Sequence, residues 1–174
     1  MGNSTKNVSD VSLKPWVYLI TGGTGAGKTT YALKLAKETG AIRFSIDDWM
    51  TTLFWMDSPD PISFDWAMAR INRAEAQIWE TAQQILAQGL PVILDLGFTK
   101  AAHRQKFYDL ARTAKTEAVL HWVDISPEER WRRVQARNSE KGETFAMDVP
   151  REMFDFMENE WEPPKDEPHL KISQ

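Results

Sequence analysis

Residues 22–29 read Gly-Gly-Thr-Gly-Ala-Gly-Lys-Thr, and no other stretch restricts the fold of this chain so tightly. Glycines stand at both required ends of the phosphate-loop pattern, and a Lys-Thr pair follows the second. Such a loop works only where a strand runs into a helix, because there its backbone N–H groups turn inward and meet the positive end of a helix dipole. The flanking residues supply that setting. Trp16-Val17-Tyr18-Leu19-Ile20-Thr21 is the apolar, β-branched run of a buried parallel strand. Residues 28–39 then carry Ala32, Leu33, Leu35 and Ala36 on a helical pattern that Gly40 closes. Gly22, Gly23, Thr24, Gly25, Ala26, Gly27, Lys28, Thr29 and Thr30 are thus the expected contacts of a nucleotide. Lys28 would reach the β and γ phosphates, and the Thr29 hydroxyl would hold Mg²⁺. The competing reading is a glycine-rich turn that binds nothing.

The rest of the chain repeats the alternation of strand and helix. Residues 41–46 read as a second strand ending at Asp47-Asp48, and residues 63–88 as a long helix with Ala67, Ile71, Ala74, Ile78, Ala82 and Ile85 at three-and-four spacing. A third strand over 91–96 ends at Asp95. Thr99 is the expected cap of a helix to about 114, and a fourth strand occupies 118–124. Ser126-Pro127-Glu128-Glu129 is a complete helix start, and that helix is expected to break within 138–144. Asp148 is the expected cap of a last helix to about 160, and residues 169–173 read as either a fifth strand or a tail. Alternation of this kind predicts an α/β fold with a parallel sheet covered on both faces.

Composition narrows the classes further. At 174 residues the chain is expected to form one domain, residues 15–174, behind a disordered arm at 1–14, with a lid over about 127–160. The absence of cysteine excludes a disulfide framework, a thiolate metal site and a cysteine nucleophile. A net charge of −4 argues against a non-specific nucleic-acid binder. No apolar run reaches the roughly 18 residues of a membrane span, so no membrane partner and a cytoplasmic location are expected. His103, His121 and His169 show no metal-ligand spacing.

Ligands of open parallel sheets sit beyond the carboxyl ends of the strands, which brings Asp47 and Asp95 beside the phosphate loop. Either carboxylate can accept the proton of an attacking hydroxyl or hold Mg²⁺; for Asp47 the alternative is a helix cap. Arg133 and Arg137 are four apart and share a helix face with Arg130, which suits a lid that spreads developing phosphate charge. The alternative is a solvated face paired with Glu128 and Glu129. Trp49, Phe54, Trp55, Phe64 and Trp66 crowd the segment after Asp47, where they read either as an acceptor pocket or as core. Arg70 and Arg73 follow on the next helix, and Trp49, Trp55 and Arg70 join Asp47 as the expected acceptor contacts.

Together, the phosphate loop, Ser45-Ile46-Asp47-Asp48, Leu94-Asp95, Arg137-Asn138 and Glu162-Pro163-Pro164 resemble the small P-loop kinases. That group holds polynucleotide 5′-hydroxyl kinases, chloramphenicol phosphotransferase, zeta-toxin-like kinases and AAA-type ATP-binding proteins. The resemblance covers residues 16–167 and implies a three-layer fold with a five-stranded sheet of order 2-3-1-4-5 and a helical lid. It further implies ATP and Mg²⁺ as cofactors, Lys28, Asp47, Arg133 and Arg137 as the catalytic set, Asp47 as the base, and Thr29 with Asp95 at the metal. Arg133 and Arg137 would clamp phosphates or adenine. Two departures matter. Met50 stands where polynucleotide kinases carry an arginine, and Leu96-Gly97 where they carry Thr-Asn. The expected activity is therefore transfer of the γ phosphate of ATP to a hydroxyl of a small molecule, with a polynucleotide or nucleotide-sugar acceptor as the runner-up. A regulator with slow NTPase activity is the alternative of another class.

Overall fold

The computed structural model describes residues 16–140 and 148–173. The expected arm at 1–14 and the 141–147 part of the expected lid lie outside these residues. Five strands, β1 (Trp16–Thr21), β2 (Ile42–Ser45), β3 (Val92–Asp95), β4 (Glu117–Val123) and β5 (His169–Ile172), form one sheet in the order β2-β3-β1-β4-β5. Every pairing is parallel. The expected order 2-3-1-4-5 therefore holds, and residues 169–172 are a strand.

Alternation along the central strands divides the core. Val17 and Leu19 of β1 with Val92 and Leu94 of β3 pack under α2 (Ile46–Leu53), α3 (Phe64–Ala87) and α4 (Ala101–Thr113), where Ile78, Trp79 and Phe107 are buried. Ile20 and Ile93 face the other way, against Ala32 and Leu35 of α1 (Lys28–Thr39). Strands buried on both faces read as continuous apolar runs, which is why β1 and β3 stand out in the sequence. A third small cluster, Val134, Val149 and Phe154, joins α5 (Pro127–Glu140) to α6 (Arg151–Glu160) at the lid.

Three element ends differ from expectation. Asp47 does not end β2: Ser45 caps α2 by accepting from the Asp48 amide, so Asp47 lies in the first helical turn, where the dipole favours acids. α4 starts at Ala101 after Lys100 rather than at a Thr99 cap, because the Glu162 carboxylate accepts the Ala101 amide at 2.8 Å. α5 ends at Glu140, inside the 138–144 stretch expected for its break. There Asn138 grips Val149 through both backbone groups, at 2.9 and 3.2 Å. α6 starts at Arg151 after Pro150, whose fixed φ suits that end, and not at Asp148.

Candidate active site

The phosphate loop is shaped by the helix that leans on it. A Cβ on Gly23 would lie 2.3 Å from Arg130 Nη1, and one on Gly25 would lie 2.5 Å from the Arg130 carbonyl oxygen. Only glycine admits α5 that close. Lys28 at the start of α1 donates to the carbonyls of Gly22 and Gly23, at 2.8 and 3.2 Å. Burial lowers its pKa, while the Asp95 and then the Asp47 carboxylates oppose that shift. α1 has Gly27 as its cap and no acid in its first turn, so no side chain of its own competes for the amides at this end. The expected contacts from Gly22 to Thr30 are thus one continuous loop and helix start.

Two carboxylates flank Lys28. Asp95 is buried at the end of β3, in register with Ser45. Its Oδ2 accepts from Arg43 Nε at 3.2 Å and Nη2 at 2.7 Å, while Arg43 Nη1 donates to Asp48 Oδ2 at 3.0 Å. Oδ1 takes no part in these bonds. Asp47 is exposed, yet surrounding protein, and secondarily the Asp95 charge, push its carboxyl above the usual range; Lys28 opposes this. Because more than a third of its surface is open, that shift bears on reactivity and not on stability.

From the lid side, Arg130 is the residue that reaches the loop. It is buried, donates to the carbonyls of Thr24 at 3.2 Å and Ile125 at 3.0 Å, and pairs with Glu158 of α6. Arg137 also faces Lys28 electrostatically, and its buried Nε has no partner among the described residues. Arg133 instead pairs with Glu129 at 2.9 Å, the solvated-face alternative. α6 overhangs the loop: Thr24 Oγ1 contacts Met157 Sδ at 3.4 Å. Between them lies a cavity of about 220 Å³ bounded by Gly22, Lys28, Gly97, Thr99, Glu160 and Trp161, among others.

The aromatic segment divides. Trp49 packs against the core beside Phe44, their ring centres 6.4 Å apart, whereas Trp55 stacks on Trp66 at 6.0 Å and keeps 36% of its surface open. Arg70 lies over Trp66 at 3.8 Å and donates to its carbonyl. None of the four expected acceptor contacts, Asp47, Trp49, Trp55 and Arg70, lines the cavity. Met50 is core, so its place on α2 faces inward. Arg43 and Trp161 escaped the sequence reading. For Arg43 a signal existed: two residues before Ser45 on one strand, it shares the face of the residue that pairs with Asp95.

A hard divalent cation takes oxygen donors, and Mg²⁺ in a nucleotide site needs one or two from protein beside the phosphates. The Thr29 hydroxyl and Asp95 Oδ1 fit that requirement. Among the described residues no cluster of three or more acidic, histidine or cysteine ligands exists, so a self-sufficient protein metal cage is not present there. No helix is long and apolar enough to cross a membrane.

A family model described as an AAA domain matches residues 17–164. No curated protein matches the chain significantly. Among solved structures, a Chloroflexus aurantiacus protein is 19% identical, with TM-score 0.72 over 92% of this chain and 88% of that one. Chaetomium thermophilum Kti12, solved with ADP-AlF3, is 18% identical, with TM-score 0.67 over 90% and 88%. A gluconokinase from Sinorhizobium meliloti is 19% identical, with TM-score 0.62 over 92% and 83%. At these identities the likeness is one of fold.

Proposed function

Because this chain belongs to the AAA domain family of P-loop nucleotide-binding proteins, we propose that it is an ATP-dependent phosphotransferase acting on a hydroxyl of a small molecule. The feature that supports the reading is the buried phosphate-loop lysine, Lys28, held by the Gly22 and Gly23 carbonyls within electrostatic reach of two carboxylates, Asp95 and Asp47, the latter with a raised pKa. A loop that only held a nucleotide needs no such base beside it, whereas a nucleophile attacking the γ phosphate does.

In this mechanism the loop amides and Lys28 hold the triphosphate, and Lys28 exchanges its bonds to Gly22 and Gly23 for phosphate oxygens. Thr29 and Asp95 would hold Mg²⁺, which would supply positive charge to offset that of the phosphates. Asp47 accepts the proton of the acceptor hydroxyl as the new O–P bond forms and the bond from the γ phosphorus to the bridging oxygen of ADP breaks. Arg137 supplies its unpartnered Nε–H to the transferring group, and Arg130 holds the loop in shape. Arg133 joins them only by leaving Glu129. The gluconokinase and Kti12 similarities agree with nucleotide chemistry on this fold.

The test is to incubate the protein with ATP labelled at the γ phosphate and a metabolite extract. Label appearing in an organic product supports the reading. Steady ATP hydrolysis, with all label in inorganic phosphate, supports the regulator instead.

A further inference from the structure

Arg104 of α4 has the largest fully buried side chain among the described residues, and the transfer chemistry leaves it without a task. Its guanidinium joins three segments. Nη1 donates to the Phe98 carbonyl at 3.0 Å, and Nε and Nη2 reach Glu167 Oε1 at 2.7 and 2.5 Å. The group also lies 5.9 Å from the centre of the Trp161 ring. Burying a cation is costly unless its donors are engaged, so the partners of Arg104 indicate what it holds in place.

At the Phe98 carbonyl the phosphate loop meets the loop that follows Asp95. The same oxygen accepts a second bond, from Thr21 Oγ1 at 3.0 Å, and buried Thr21 is the last residue of β1, next to Gly22. Phe98 has φ +46°, a left-handed conformation that a bulky side chain adopts only where its surroundings impose it. Here they do. The fully buried ring packs on His103 and Phe107, with ring centres 4.8 and 5.2 Å away, while the carbonyl is held by its two donors. Gly97 and Thr99, the residues on either side of Phe98, both line the cavity at Lys28. The Thr99 carbonyl accepts the Glu162 amide at 3.0 Å, whereas its hydroxyl takes part in no hydrogen bond among the described residues.

We infer that Thr21 and Arg104 are positioning residues for phosphoryl transfer: by gripping one carbonyl from two sides, they fix the Gly97–Thr99 wall of the cavity relative to the phosphate loop. This rests on the phosphotransferase reading and adds a supporting layer to its site. Asp95 stands two residues before that wall, so the clamp also bears on the carboxylate assigned to the metal. Through Glu167 and Trp161 the same guanidinium holds the segment beyond α6, and Trp161 is itself part of the cavity wall. A misplacement of about an ångström can cost a transfer step about a hundredfold. Ground-state nucleotide, held by the loop amides and Lys28, is far less sensitive to it.

The test needs no known acceptor. Titration calorimetry on the full-length protein compares Mg²⁺-ADP with Mg²⁺-ADP plus aluminium fluoride, a mimic of the transferring phosphoryl group, and reads the ratio of the two affinities. The parent should favour the mimic. Thr21→Val removes one donor at constant shape, and Arg104→Met combined with Glu167→Gln removes the guanidinium without leaving its carboxylate unpaired. In each, the preference for the mimic should fall by about tenfold or more. Thr21→Ser keeps the hydroxyl and should keep the preference, as should Ile78→Val, a core change that takes none of these bonds away. If either clamp variant retains the parental ratio, or Ile78→Val loses it equally, the positioning role is overturned and the phosphotransferase reading stands. A parent that does not favour the mimic overturns both.

Discussion

A carboxylate in the first turn of a helix ordinarily ionises more readily than a free one, because the dipole stabilises its charge. Asp47 lies in such a turn and is nonetheless shifted upward, by the surrounding protein first and by Asp95 next. The consequence is a base that is protonated, and idle, over a wider acid range than a free aspartate. Transfer should therefore fall as pH drops through a value above the usual carboxylate range. In Asp95→Asn, which removes the repelling neighbour and releases Arg43, that acid limb should move to lower pH, whatever the loss in absolute rate. A limb that stays in place shows that Asp95 does not set the Asp47 ionisation. Arg43→Met leaves the nearly buried Asp95 unpaired, and urea unfolding should show a loss of about 3–5 kcal/mol; a variant as stable as the parent contradicts the pairing. Asp47, Asp95 and Lys28 were legible in the sequence because each ends or begins an element with a strong local signature. The role of Arg130 was not, since it depends on how near α5 comes to the loop, and the signal at Arg43 could be used only once β3 was known to lie beside β2.

The elements around the site meet through the loop glycines. α5 approaches so closely that Gly23→Ala would drive a methyl group into the Arg130 guanidinium, displacing it from Thr24 and Glu158. Nucleotide affinity, measured by titration, should drop in Gly23→Ala and drop by less when the same change is made in Arg130→Ala, because the clash is then gone. Strict additivity would show that the two do not interact. Helix starts marked by their own side chains, Ser63 and Ser126, were read correctly from local spacing. The start of α4 was misread because its amide partner, Glu162, stands 61 residues further along the chain. Ser45 was a readable cap, yet the apolar run through Ile46 drew the strand one residue too far.

At the scale of the whole molecule, one parallel sheet carries the phosphate loop after β1, Asp95 at the end of β3 and, through the first turn of α2 that follows β2, Asp47. Its order was legible only through family resemblance, since alternation of strands and helices fixes a parallel sheet but not which strand is central. Ligand that binds only the folded chain should stabilise all of it: at a hundred times its dissociation constant, Mg²⁺-ATP should add about 2.7 kcal/mol and raise Tm. In Lys28→Ala at the same nucleotide concentration most of that rise should vanish, and an undiminished rise would remove Lys28 from the binding account. The account as a whole depends on a nucleotide and an acceptor meeting across Lys28 and Asp47. The most direct measurement is single-turnover transfer of labelled γ phosphate by Asp47→Asn, with nucleotide affinity determined on the same preparation. Transfer slowed by about a hundred- to ten-thousand-fold at unchanged affinity is the predicted result; transfer at the parental rate would contradict it.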